Sequence, residues 1–123
     1  MIKITRRLAQ SFFHKRNNFS HKGENGKFLV VGGSDEFSGA PALAALGAKA
    51  ALRSGVDLVY LAAPEKTGWA ASCFSPDLIV YKFKGKFFEA ADAKKVLELS
   101  QKADAGVIGN GLGLMDSTKK CVK

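Results

Sequence analysis

Four short apolar runs, each closed by a turn and separated by helix-length segments, constrain this chain more than any other feature. "KFLVV" (27–31) ends in Gly32-Gly33, and "DLVYLAA" (57–63) ends in Pro64. "DLIVYKF" (77–83) runs into the turn "KGK", and "AGVIG" (105–109) runs into the loop "NGLG". The runs are nearly unbroken rather than alternating. A strand with one wet face alternates, whereas a strand covered on both faces does not. All four therefore read as buried strands.

The segments between them read as helices. Residues 40–54 carry Pro41 in the first turn and Gly55 just past the end, the usual asymmetry of helix punctuation. This segment is apolar on most sides, so cover beyond its sheet face is expected. Residues 65–72 suit a short helical turn. Residues 92–102 are amphipathic, with Ala93, Val96, Leu97 and Ser100 expected inward. Asp116 or Ser117 is expected to cap a last helix. Strands alternating with helices predict an α/β fold: a mainly parallel sheet with flanking helices, in three Rossmann-like layers with right-handed crossovers. The last segment, "DSTKKCVK", stops about two turns into a helix. The sheet is thus expected to be incomplete. Its open edge would be covered by another copy, making a homo-oligomer, or by the rest of the domain in the same or another chain.

The length of 123 residues suits one domain. The net charge of +8 is unevenly spread. Residues 1–27 hold seven basic residues and one acidic, residues 28–115 hold nine of each, and residues 116–123 hold three basic and one acidic. The globular part is neutral, which argues against a nucleic-acid face. Residues 1–26 read as a solvated basic arm or irregular lead-in. Leu8, Phe12, Phe13 and Phe19 are candidates to pack it down, and "HKGENG" (21–26) reads as a turn. No run approaches the roughly 18 apolar residues of a membrane span, and no secretory signal is evident. Cys73 and Cys121 lack metal or disulfide spacing, which fits a reducing, cytoplasmic setting.

Two strands end in glycine: "VVGGSDEFSG" and "VIGNGLG". In an open parallel sheet, ligands bind outside the carboxyl ends of the strands. Glycine permits positive φ and close backbone approach, and a helix starting behind such a loop offers free N–H groups to anions. Gly32, Gly33, Ser34, Gly39 and Ala40 on one loop, and Gly109, Asn110, Gly111 and Gly113 on the other, are therefore candidates to cradle a phosphate or sugar. Neither loop is a P-loop or a complete dinucleotide fingerprint.

Taken together, "HKG", "GGS…SGA", "ALRSG", "SPDL" and "GNGLG" resemble the ADP- or ATP-dependent NAD(P)H-hydrate dehydratases of the ribokinase-like superfamily. The resemblance runs from about Arg16 to Gly113. It implies repair of hydrated NADH or NADPH: ADP or ATP with Mg²⁺ phosphorylates the hydrate's hydroxyl, and phosphate then leaves. It implies that Gly39, Ala40, Gly111 and Gly113 contact the hydrated nucleotide, with Gly33, Ser34 and Asn110 as possible phosphate or ribose contacts. The family's usual GPGLG reads GNGLG here, with Asn110 in place of the proline. The catalytic aspartate of a GxGD motif is not in this sequence. Residues 27–123 would then be the N-terminal half of the domain, inactive without a chain or segment supplying the C-terminal half. The same fold also admits a small-molecule kinase or a non-catalytic nucleotide-binding subunit.

Other residues read plainly. His14 and His21 lack partners for a metal or triad role. Asp35 and Glu36 suit a solvated loop tip. Lys82, Lys84 and Lys86 form a polar strand-end face. Trp69 and Phe74 are expected between layers, and Cys73 as a small buried hydrophobe.

Overall fold

The computed structural model describes residues 3–12 and 16–122. Phe13, His14 and Lys15, and with them part of the expected arm packing, lie outside the described residues. The strands are β1 (Lys27–Gly32), β2 (Leu58–Pro64), β3 (Ile79–Phe83) and β4 (Ala105–Asn110). The helices are α1 (Arg6–Ser11), α2 (Gly39–Arg53), α3 (Glu65–Phe74), α4 (Ala93–Ser100) and α5 (Asp116–Val122). A single 3₁₀ turn at Ala90–Asp92 leads into α4. All pairings are parallel, in the order β3-β2-β1-β4.

Successive strand residues point to opposite faces, and both faces of the central strands are covered. Leu29, Val31 and Ala62 join Phe83, Phe88, Val96, Leu99 and Leu112 in one apolar layer. Val30, Val59, Leu61 and Ala63 join Ala45, Ala48 and Ala71 in the other. This is why β1 and β2 read as unbroken apolar runs. The small alanines of α2 and α3 let these helices lie close on the second face.

Several expectations are corrected. β4 is present but exposed, with Val107 39% and Ile108 48% accessible, because it lies at the sheet edge. On α4 the buried pair is Val96 and Leu99, while Leu97 is exposed and Ser100 solvated. Leu97 and Ser100 line the open trough beside β4. Residues 65–72 form part of a full helix ending at Phe74, because Glu65 starts helical directly after Pro64. Trp69, Phe74 and Cys73 lie on the outer side of that helix and are exposed, not packed between layers. The outer side of α2 is likewise open, with Leu43 and Leu46 exposed. Phe12 and Phe19 are exposed and do not anchor the lead-in, whereas Leu8 is half-buried.

The lead-in is held instead by polar contacts. Asp57, at the start of β2, accepts from the Asn25 side-chain amide (2.9 Å) and the backbone N–H groups of Asn25 (3.0 Å) and Gly23 (2.9 Å). Arg16 pairs with its other oxygen at 2.7 Å and also donates to the Gly55 carbonyl. The "HKG" segment is thus tied to the amino ends of the strands, with Gly23 in the left-handed region (φ 96°). A second clamp joins α2 to the turn before β3. Lys49 donates to Ser75 (2.7 Å), and its ammonium lies 3.3 Å from Asp77, which also accepts from Ser75. Among the described residues no helix is long and apolar enough to cross a membrane.

The Asn25 amide, the two backbone N–H groups and Arg16 hold the Asp57 carboxyl down at about 2, against an ordinary 3.8. A depressed carboxyl contributes stability that is fully present above its unfolded pKa and is lost as pH falls through the folded one. Stability should therefore fall between about pH 4 and pH 2. Asp57→Ala is expected to lower the Tm at neutral pH and to flatten that acid limb. Melting curves across this pH range check both.

Candidate functional site

The two glycine loops meet at the carboxyl end of the sheet. Their meeting begins in the β1–β4 register. Val31 pairs with Ile108, but Gly32 pairs with Asn110, so β4 carries one extra residue. That residue is Gly109, whose φ of 128° suits a bulge. The bulge swings Asn110 and Gly111 toward the first loop. Gly33 then donates its N–H to the Asn110 carbonyl at 2.8 Å. A Cβ at Gly32 would lie 2.3 Å from that same carbonyl oxygen, so the backbones could not pass this closely with a side chain there.

Gly111 makes the second contact. Its φ is 72°, and a Cβ on it would lie 2.8 Å from the Phe37 carbonyl and 3.0 Å from the Ala40 methyl. Gly111 is therefore a packing point between the loops. Gly113 (φ 78°) faces the Phe87 ring, and Gly39 opens to free space at the start of α2. Ala40 is half-buried. Ser34 is fully buried and holds the first loop's shape: its hydroxyl accepts from Phe37 N–H (3.1 Å), and its carbonyl accepts from the Thr67 hydroxyl (2.8 Å). Gly33 (φ 94°) fits tightly against Thr67 and Pro41.

The candidate residues thus all belong to one loop pair, in unequal roles. Gly39 sits where space remains, while Ala40 borders Gly111 and Gly113 faces the Phe87 ring. Gly32, Gly33, Ser34 and Gly111 build the frame. Asn110 contributes a buried side-chain oxygen that has no hydrogen-bond partner among the described residues. Asp35, read as a solvated tip, is instead half-buried; its N–H donates to Lys86 (2.8 Å) and its carboxylate pairs with Lys66 (3.3 Å).

Sequence reasoning missed three contributors. Thr67 from α3 locks the first loop, Phe37 receives Gly111, and the loop after β3 supplies Lys86 and Phe87. "KGK" reads only as a turn, and nothing in its spacing says that it reaches the loop after β1. His21 lies in the "HKG" turn at the opposite end of the strands. Among the described residues, no group of three or more His, Cys, Asp or Glu side chains could hold a metal ion.

The family model described as NAD(P)H-hydrate dehydratase (Carb_kinase) matches residues 28–123. A bifunctional NAD(P)H-hydrate repair enzyme from Methanothermobacter thermautotrophicus is 48% identical over 101 residues, covering 82% of this chain and 19% of that protein. An ADP-dependent (S)-NAD(P)H-hydrate dehydratase from Nitrosopumilus maritimus is 40% identical over 114 residues, covering 92% of this chain and 39% of that protein. Among solved structures, the ADP/ATP-dependent NAD(P)H-hydrate dehydratase of Bacillus subtilis, co-crystallized with ATP/Mg²⁺, superposes with a TM-score of 0.69. It is 30% identical, covering 96% of this chain and 39% of that one. The chain spans between about a fifth and two fifths of the length of these relatives.

The loop geometry separates glycines that look alike in sequence. A side chain at Gly111 or Gly85 meets the cost of positive φ, about 1 kcal/mol or somewhat more. At Gly111 it also strikes backbone at 2.8 Å, whereas at Gly85 the nearest atom is 3.6 Å away. Gly111→Ala is expected to lower the Tm by at least twice as much as Gly85→Ala. Thermal melts of the two variants decide it.

Proposed function

The chain belongs to the NAD(P)H-hydrate dehydratase family, and from that premise we propose that it contributes the hydrate-binding part of a nucleotide-dependent dehydratase acting on hydrated NADH or NADPH. The observation that carries this reading is the interlock of the two glycine loops at the carboxyl end of the sheet. It fixes the start of α2 beside the "GNGLG" loop. Gly39 leaves open space there, and the first-turn N–H groups of α2 face the anionic parts of a dinucleotide. The orphaned Asn110 oxygen supports the same reading. A buried unpaired acceptor costs about 1–3 kcal/mol, and a hydroxyl or amide donor on a ligand would satisfy it.

In this reading ADP or ATP supplies the phosphoryl group that turns the hydrate's hydroxyl into a leaving group. The residues of this chain bind and orient the hydrate; they do not move its proton. The described carboxylates near the loops, Asp35 and Glu36, stand on the first loop, where Asp35 is engaged by Lys66. The base, the nucleotide contacts and the metal ligands are accordingly assigned to a completing C-terminal segment.

The open side of the sheet supports that assignment. A trough of about 490 Å³ lies between β4 and helices α4 and α5, lined almost wholly by apolar groups such as Leu97, Val107, Ile108 and Val122. Strands of a parallel sheet are normally covered on both faces.

Two outcomes test the proposal. The isolated chain, given hydrated NADH, ADP or ATP, and magnesium, is expected to show no turnover; enzyme-like rates would sink the assignment of the base elsewhere. In the chain joined to a C-terminal segment of the Nitrosopumilus maritimus dehydratase, Ala40→Trp is expected to abolish dinucleotide binding while the fold survives. A large side chain there fills the space beside the α2 terminus. Unchanged affinity by calorimetry would move the site away from this loop.

A further inference from the structure

The outer side of α2 carries a pattern that the sheet does not use. Pro41, Ala42, Ala45 and Ala48 are buried and face inward. Opposite them, Gly39, Leu43, Leu46, Ala50 and Arg53 are all exposed, at spacings of 4, 3, 4 and 3 residues. Alternating threes and fours keep side chains on one narrow stripe, and this is the repeat by which two helices interlock. Leu43 is 71% exposed and Leu46 41%. Gly47 beside them faces open space, so another helix can approach closely.

A three-layer fold offers nothing to cover this stripe. α2 lies on the face of the sheet that holds Val30, Val59 and Leu61. The trough assigned to a completing segment lies on the other face, beside Leu29 and Val31. A segment that extends the sheet past β4 adds neighbours beside α2, not outside it.

We infer that the stripe is the seam of a symmetric dimer, in which α2 packs antiparallel against α2 of a second copy. In one register Leu43 meets Leu46 of the partner subunit, and Gly39 meets Ala50 of the partner subunit. The large pairs then sit at the centre and the small pairs at the ends. The charges agree with the same register. Glu36 precedes Gly39 by three residues and continues the spacing, so it falls opposite Arg53 of the partner subunit. Glu36 and Arg53 are both exposed, and among the described residues neither forms an ion pair. A two-fold axis makes each of these contacts twice, and it sets the two helix dipoles in opposition, which is favourable. A lipid surface suits the stripe less well, because Lys49 on its flank is already held by Ser75 and Asp77. One helix pair roughly 22 Å long covers less than the about 800 Å² per partner of a standard interface, so a micromolar dissociation constant is expected. The dimer also sets the partner's Ala50 beside Gly39, so each copy borders the opening at the other's first glycine loop. None of this rests on the dehydratase reading.

Sedimentation of the full chain from about 1 to about 300 µM should show a monomer–dimer equilibrium. Leu43→Glu should weaken association by at least about tenfold. Where both proteins are monomers, its Tm should match that of the parent chain, since Leu43 is largely exposed. Ile108→Lys charges the open edge at β4 instead and should leave the dimer unchanged. Glu36→Arg and Arg53→Glu should each weaken the dimer about threefold, and combining them should restore it to within about twofold. A chain still monomeric at about 300 µM would overturn the inference. So would a dimer that survives Leu43→Glu, or one that is lost in Ile108→Lys alone, which would move the contact to the sheet edge. Charge reversals that do not compensate in combination would overturn the antiparallel seam.

Discussion

The backbone crossing between Gly32-Gly33 and Asn110 is the constraint on which the functional end of the molecule depends. Two parallel strands with ordinary side chains could not bring their carboxyl ends so close. Here the bulge at Gly109 re-aims β4, Gly32 leaves room for the Asn110 carbonyl, and Gly33 closes the pair with a 2.8 Å hydrogen bond. Gly111 can then seat against Phe37 and Ala40, which fixes the start of α2 relative to the second loop. Four glycines thus act as a joint, while Gly39 faces open space.

The polar clamp on the lead-in and the two glycine loops lie at opposite ends of the strands. The Asp57 cluster gathers Arg16, Gly23 and Asn25 at the amino end of β2, so a segment with few apolar anchors is still held. The "HKG" segment, one of the signatures of the family resemblance, does its visible work there rather than at the glycine loops. At the carboxyl end, polar groups are spent differently: Ser34 and Thr67 shape a loop, and the Asn110 oxygen is left without a partner.

The apolar surfaces left open are as informative as the core. β4 exposes Val107 and Ile108, α4 exposes Leu97, and α2 exposes Leu43 and Leu46. Solvent exposure of this kind is at odds with a finished parallel sheet. It fits a chain that spans only a fraction of its relatives' length. Family membership and the proposed need for a completing segment are therefore consistent with the same physical feature.

The sequence by itself determined the strands, the long helix α2, the parallel sheet and the family, because each rests on local signals: unbroken apolar runs, Pro41 and Gly55 as helix punctuation, and motifs read residue by residue. It also marked both glycine loops. It did not reveal that Gly111 is a packing point while Gly39 is open, because both are simply glycines after a strand; which one a neighbour fills depends on a bulge set by pairing with β1. Nor did it separate Val96 and Leu99 from Leu97, since which of them is covered depends on what packs over the trough beside β4, a tertiary matter. Residue type alone suggests that Trp69 and Cys73 are buried, yet α3 turns them outward. β4 looked like an interior strand because its composition is that of one. Its place at the edge was decided only by strand order, which is a property of long-range pairing that no local stretch of sequence contains.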